Sequence, residues 1–283
     1  MLAECFLWLT NHSARGRRMA FRWLFERIAR RFGDAERWTF MNYGYADLDG
    51  ESLPMPLDEA DEPERYCLQL YHHVASAVDL RGKDVLEVSC GRGGGASYVR
   101  RYFRPRSVTA IDIAGSAIAF CRSAHRLPGV RFLEGDAEAI PLPDRSVDAV
   151  INVEASFCYP AIGRFLAEVE RVLKPGGHFL YADLRFAGEV EALMDSLSRS
   201  GLEQLRAADI TANVARALEL DSDRRTRAAD RMVPRPLRGV ARTFTGARDS
   251  RYPAMFRSGR MRYLSFCLRK PATRVPTALT RAA

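Results

Sequence analysis

A chain of 283 residues with 47% hydrophobic residues has enough apolar surface for a sizeable core, which excludes global disorder. Its formal charge of +8 comes almost wholly from arginine, since Lys83, Lys174 and Lys270 are the only lysines, and that bias reads as a GC-rich bacterial genome before it reads as a nucleic-acid partner. The six cysteines are scattered with no CxxC pair, so neither a disulfide framework nor a zinc site is implied, which fits a reducing cytoplasm.

The opening MLAECFLWLT lacks a basic leader and is too short to span a bilayer, so a soluble protein is expected. Residues 15–32 set Phe21, Leu24, Phe25, Ile28 and Phe32 at helical spacing among arginines. This predicts a helix, docked on its own domain as a cap or lying on a membrane surface or acidic partner. Residues 38–66 hold Pro54, Pro56 and Pro63 among many acids and predict a surface connection rather than a regular element. Within it, the aromatics of Asn42-Tyr43-Gly44-Tyr45 suit either a cap over a cationic ligand or packing against the core. Residues 65–79 predict a helix with Tyr66, Leu70, Val74 and Val78 on one face.

The stretch 85–98, VLEVSCGRGGGASY, is the centre around which the other elements are arranged. An apolar run with an acid at Glu87 predicts a buried parallel strand, and Gly91, Gly93, Gly94 and Gly95 predict a tight loop where backbone approaches a ligand closely. A helix over 96–103 comes next, its first N–H groups pointing back at the bound group. A second strand over 108–111 ends in Asp112, ~20 residues beyond the loop, the spacing at which an acid reaches ribose hydroxyls. A helix over 115–125 and a third strand over 130–133 lead to Gly135-Asp136-Ala137-Glu138. A fourth strand over 147–153 ends in Glu154, a helix over 161–173 stops at Lys174-Pro175-Gly176-Gly177, and a fifth strand over 178–182 ends in Asp183. This alternation requires a parallel sheet with helices on both faces. Residues 186–231 look helical, 224–242 predict an exposed arginine-rich loop or lid, 261–268 predict a last strand, and 271–283 a frayed tail.

Gly91-Arg92-Gly93-Gly94-Gly95-Ala96 satisfies a dinucleotide fingerprint, which makes a nicotinamide-dependent oxidoreductase the first rival. Two features disfavour it. Glu87 would oppose a pyrophosphate but welcome a cationic amino-acid moiety, and Asp136 to Glu138 offer acceptors where an adenine edge would lie.

In order, VLEVSCGRGGG, AIDIA, GDAEAIPLPDRSVDAV and RVLKPGGHFLYAD resemble the motifs of class I S-adenosylmethionine-dependent methyltransferases. FMNYGY, LYHHVASAVDLRGKDVLEVSCGRGGGASY, NVEASFCYP and FLYADLR are further similar to the actinobacterial phthiotriol and phenolphthiotriol dimycocerosate methyltransferases. Antibiotic-pathway relatives of the mitomycin aziridine methyltransferase type look comparable. The resemblance implies an α/β, Rossmann-like, doubly wound, mostly parallel seven-stranded sheet with helices on both faces and helical cap segments. It divides the chain into an N-terminal cap and site cover (1–64), a cofactor-binding core (65–185), a helical insertion or lid (186–250), C-terminal strands completing the sheet (251–270) and a flexible tail (271–283).

By the same resemblance the cofactor is S-adenosyl-L-methionine. Glu87 and the backbone of Ser89, Gly91 and Gly93 would hold its methionine part. Asp112 would take the ribose, with Ile113 against the adenine. Asp136, Ala137 and Glu138 would frame the adenine, Asn152 and Val153 would line the fourth-strand side, and Tyr43 would close the site near the sulfonium. Ser89 replaces the usual first glycine, which is expected to be harmless because serine keeps ordinary backbone angles. Phe157 stands where the similar lipid enzymes carry histidine, the natural general base near neutral pH. Glu154, His72 and Asp183 are the remaining catalytic candidates, His125 and His178 read as structural, and no metal constellation is present.

The expected activity is methyl transfer to an amine nitrogen or hydroxyl oxygen of a small-molecule secondary metabolite of antibiotic type, a mitomycin-like aziridine nitrogen included. The alternative is O-methylation of a lipid or polyketide hydroxyl. The partner is a small-molecule acceptor, with no nucleic acid, no stable membrane insertion, and homo-oligomerisation left open.

Overall fold

A computed structural model describes residues 39–48, 55–232 and 251–272. The helix predicted over 15–32, residues 233–242 of the arginine-rich stretch and most of the predicted tail lie outside them.

A 3-10 turn at Glu59–Glu64 precedes α1 (Arg65–Ala75), so the acidic connection holds one regular turn where none was expected. Then come β1 (Asp84–Val88), α2 (Gly94–Tyr98, continued by a π turn Val99–Phe103), β2 (Ser107–Asp112), α3 (Gly115–Ala124), β3 (Val130–Glu134) and β4 (Val147–Val153). After them lie α4 (Ile162–Val172), β5 (Leu173–Phe186), α5 (Val190–Ser198), β6 (Glu203–Asp209), α6 (Thr211–Leu220), α7 (Ser222–Met232), α8 (Arg251–Arg257) and β7 (Met261–Arg269).

The seven strands form one sheet in the order β3-β2-β1-β4-β5-β7-β6. β1 to β5 run parallel, and β7 enters antiparallel between β5 and β6. Strand alternation sends Leu86, Val88, Ile111 and Val150 to one face, against Phe165, Leu166 and Val169 of α4 and Leu193 and Leu197 of α5. Val85, Val108, Ala149 and Ile151 face the other way, against Leu68, Leu70 and Val74 of α1 and Val214 and Leu218 of α6. Burying each such leucine is worth roughly 1.5–3 kcal/mol relative to exposure. Strand order reverses between β1 and β4, and a crevice opens outside the carboxyl ends of parallel strands at such a point.

Three expectations change. The stretch 186–250, expected to be helical, contains β6. Its sequence EQLRAAD is mostly exposed, because an edge strand paired on one side does not need alternating apolar residues. Its one leucine, Leu205, falls in a register irregularity and points to solvent. Second, 224–232 is helix rather than loop, and Arg225 within it is buried. Third, Lys174-Pro175-Gly176-Gly177 lies inside β5 as a bulge, where pairing to β4 jumps from Val147↔Leu173 to Ala149↔His178. The last stretch, 251–270, holds a single strand, preceded by α8.

Candidate active site

Alternation places Glu87 on the α1 face of the sheet, where the Tyr71 hydroxyl donates to its Oε1 at 2.7 Å. The Ala96 N–H is directed at the same carboxyl, while Oε2 is buried with no partner among the described residues. Burial pushes this carboxyl up to about 7. A buried acceptor without a donor costs on the order of 1–3 kcal/mol. A cation beside Oε2 would remove that cost and pull the carboxyl back towards ionisation.

The glycines serve the protein's own packing as much as a ligand. A Cβ on Gly95 would lie 2.2 Å from the Tyr71 ring and 2.3 Å from Glu87 Oε1. On Gly94 it would meet the Thr39 carbonyl at 2.8 Å, and on Gly91 the Met41 methyl at 2.6 Å. The 39–48 segment therefore lies against the glycine loop, as a cover over this edge of the sheet.

Ser89 departs from expectation. Its φ is +59°, the left-handed region, which costs a non-glycine residue about 1–2 kcal/mol. The loop keeps the shape a glycine would give it, and the serine bears the strain. What holds it there is Tyr159, whose hydroxyl lies 2.6 Å from Ser89 Oγ and accepts from Asn152 Nδ2 at 2.9 Å. Asn152 Nδ2 also donates to Val88 O at 3.0 Å, and its Oδ1 is a second buried acceptor without a partner among the described residues. Val153, next along β4, is buried.

Asp112 is buried at the end of β2 and accepts from Gly91 N and Ala114 N, one on each oxygen, both at 2.9 Å. It ties the glycine loop to the next crossover, and a carboxylate oxygen can accept a second hydrogen bond beside the first. Ile113 is half-buried beside it. After β3, Asp136 Oδ1 accepts from Glu138 N at 2.9 Å, which folds the turn around buried Ala137. Glu138 Oε1 accepts from Ala161 N at 2.8 Å, so this acid anchors the start of α4.

At the end of β4 Glu154 also takes a left-handed conformation, φ +52°, although its N–H still donates to Ala182 O at 2.8 Å. One carboxyl oxygen, Oε2, accepts from Tyr43 N at 2.8 Å and from the Tyr263 hydroxyl at 2.9 Å. Oε1 accepts nothing from the described residues. Burial pushes the carboxyl up to about 8. The Tyr43 ring packs on Tyr252 and Phe256 of α8, with centroids 5.4 and 5.9 Å away. Strained non-glycine backbone gathers at functional sites. Here two such residues, Ser89 and Glu154, stand at the carboxyl ends of the adjacent strands β1 and β4.

The other catalytic candidates are engaged elsewhere. Asp183 is fully enclosed: Oδ2 accepts from Ser156 Oγ at 2.6 Å and Phe157 N at 3.0 Å, and the Arg185 guanidinium lies 3.1 Å away. It braces the loop after β4. His72 Nδ1 lies 2.9 Å from the Tyr98 hydroxyl, its ring beside Phe103, and burial lowers its basicity. His73 stacks on Tyr45 and meets Ser265 Oγ at 3.1 Å. His125 Nε2 donates to Arg92 O at 2.8 Å, and burial lowers its pKa. Phe157 is 40% exposed. Among the described residues no group of three or more His, Cys, Asp or Glu side chains converges on a metal position, and no helix is long and apolar enough to cross a membrane.

Sequence reasoning missed Tyr71, Tyr159 and Tyr263, the hydroxyl partners of Glu87, Ser89 and Glu154. Ser89 carried a signal that the expectation of ordinary backbone angles overlooked: a serine standing in a glycine position can inherit the glycine's left-handed backbone.

The family described as "Methyltransferase domain" matches residues 86–181. The chain is 44% identical to phthiotriol/phenolphthiotriol dimycocerosates methyltransferase of Mycobacterium tuberculosis over 82% of its own length and 85% of the relative's. It is 42% identical to the fatty-acid O-methyltransferase of Mycolicibacterium smegmatis, over 83% and 84%. Among solved structures, the cyclase SpnF superposes with a TM-score of 0.67 at 22% identity, covering 90% of this chain and 96% of that one. The cyclopropane synthase MmaA2 from Mycobacterium tuberculosis gives 0.64 at 16%, covering 84% and 94%. These two share the fold.

Proposed function

The chain belongs to the phthiotriol/phenolphthiotriol dimycocerosates methyltransferase family of S-adenosyl-L-methionine-dependent enzymes, and from that premise we propose that it methylates a hydroxyl oxygen of an apolar, lipid- or polyketide-like small molecule with Glu154 as proton acceptor. The observation that carries this is the Glu154 carboxyl. It is half-buried at the carboxyl end of β4, held on one oxygen by Tyr43 and Tyr263, and pushed up to about 8 by desolvation. A base is most effective when its pKa lies near the working pH. An alcohol must lose its proton as it attacks, and Glu154 Oε1 is the oxygen left to take it.

The donor supplies an electrophilic methyl on a sulfonium. Its cationic amino group fits the unpartnered Oε2 of Glu87, with the backbone of Ser89, Gly91 and Gly93 alongside. The Asp112 carboxylate fits ribose hydroxyls, with Ile113, Asp136 and Ala137 towards the base and Asn152 and Val153 on the β4 side. Glu138, committed to Ala161, frames that pocket by anchoring α4. Tyr43 closes the site, and its ring excludes water from the reacting atoms. Because a neutral sulfide leaves readily, alignment in a dry pocket carries most of the rate.

A second reading, an amine acceptor of antibiotic type, is favoured by Phe157, which puts no proton acceptor at the mouth of the site; an amine with a free lone pair needs none. A panel of long-chain alcohols, fatty acids and amines, run with 13C-methyl donor and read by NMR, separates the two. O-methyl product from an alcohol is expected. Product found on nitrogen alone would sink the hydroxyl reading.

A further inference from the structure

One peptide unit joins a buried guanidinium to a half-buried carboxyl. The Tyr43 N–H donates to Glu154 Oε2 at 2.8 Å, and the carbonyl of the same peptide, Asn42 O, accepts from an Arg225 guanidinium N–H at 3.1 Å. The unit is clamped on both sides. Asn42 Nδ2 donates to Cys67 O at 3.3 Å, and its Oδ1 accepts from Gly44 N at 2.9 Å. Gly44 has φ +84° and sits against Tyr66 so closely that a Cβ would touch its backbone at 3.1 Å, which holds the turn around Tyr43.

Arg225 is enclosed, with its Nε 2.9 Å from Asp221 Oδ2. Arg224 beside it bridges Asp221 and Glu64, at 2.5 and 2.8 Å. Burying such a group of charges is costly, and well-packed apolar side chains often give equal or better stability. Stability alone therefore does not account for an arginine at this position. Its reach to the Asn42 carbonyl does, because a guanidinium drawing on the C=O polarises the peptide and strengthens the N–H at its other end.

We propose that Arg225 is a positioning residue for methyl transfer: by holding the Asn42 carbonyl it fixes the Tyr43 N–H, and through it the Glu154 carboxyl, in the geometry the acceptor requires. This rests on Glu154 being the proton acceptor. The groups facing Glu154 are Tyr43, Tyr71 of α1, Asp183 of β5, Arg225 of α7 and Tyr263 of β7. Arg225 is the cation among them, so its loss disfavours the ionised carboxylate.

The test uses Arg225→Met, the double variant Arg225→Met/Asp221→Asn, which leaves no unpaired buried carboxylate at Asp221, and Arg225→Lys. Glu154 is titrated by NMR in protein labelled at the glutamate carboxyl carbon, with Glu154→Gln to assign its signal. The apparent pKa is expected to rise by about one unit. kcat is expected to fall about tenfold or more, with KM for S-adenosyl-L-methionine within roughly threefold of wild type. Arg225→Lys recovers part of both changes. A double variant that folds and binds the donor yet titrates and turns over like wild type overturns the proposal. Full activity in Glu154→Gln beside a shifted titration overturns the proton-acceptor reading and, with it, the catalytic meaning of the coupling.

Discussion

Glu154→Gln is expected to lower kcat on a hydroxyl acceptor by about 10²–10⁴-fold, the usual contribution of a general base. The substitution preserves shape. A glutamine carbonyl oxygen still accepts from the Tyr43 N–H and the Tyr263 hydroxyl, which hold the wild-type carboxyl at 2.8 and 2.9 Å. The loop after β4 therefore stays in place, and donor affinity measured by isothermal titration should change by less than about threefold, since uniform binding is untouched. What disappears is the oxygen able to take the acceptor's proton. A loss of donor affinity equal to the loss of rate would instead make Glu154 a structural residue, and an unchanged rate would remove it from the chemistry.

Gly95→Ala carries the second large effect, on stability. The added methyl would overlap the Tyr71 ring and Glu87 Oε1, at 2.2 and 2.3 Å. Neither neighbour can step aside cheaply. Tyr71 packs edge-on to Phe40, with centroids 5.8 Å apart, and Glu87 is enclosed by the sheet. Either α2 lifts away from α1 or the Tyr71–Glu87 hydrogen bond breaks. Overpacking of this kind costs about 1–3 kcal/mol, and an orphaned buried carboxyl oxygen adds about 1–3 more. Chemical denaturation should show the loss, and in a double-mutant cycle the losses from Gly95→Ala and Tyr71→Ala should be less than additive, because the ring removed is the one the methyl overlaps. A single variant as stable as wild type would mean that α1 and α2 are free to part.

The parallel half of the fold is legible in the sequence because its signal is local. VLEV and VDAVINV are continuous apolar runs that suit strands buried on both faces. The acid that ends β2, Asp112, marks the ligand edge by its position after such a run. β6 is not legible, since EQLRAAD pairs only with β7 on one side and shows solvent most of its side chains. Arg225 is hidden for a related reason. A run of arginines reads as solvated surface, and only the fold shows them paired with the buried Asp221 and the half-buried Glu64. At the site itself, the acids can be read but their partners cannot. Tyr263 lies 109 residues from Glu154 along the chain and reaches it from β7, on the far side of β5 from β4, a neighbourhood that no periodicity within either strand announces. Asp183 misleads in the opposite direction: expected at a strand end, it lies inside β5, which runs on to Phe186, and its carboxyl is already occupied by Ser156, Phe157 and Arg185.

The pH dependence of kcat/KM for a hydroxyl acceptor, at saturating donor, tests the role of Glu154 most directly. A base acts when deprotonated, so activity should rise with pH through a single ionisation and then level off. The midpoint should lie at or below about 8, the value to which burial lifts the carboxyl, because the donor's positive charge pulls it down from there. That limb should vanish in Glu154→Gln. A wild-type profile flat from about pH 5 to 9, or the same limb persisting in Glu154→Gln, would contradict the assignment of Glu154 as proton acceptor.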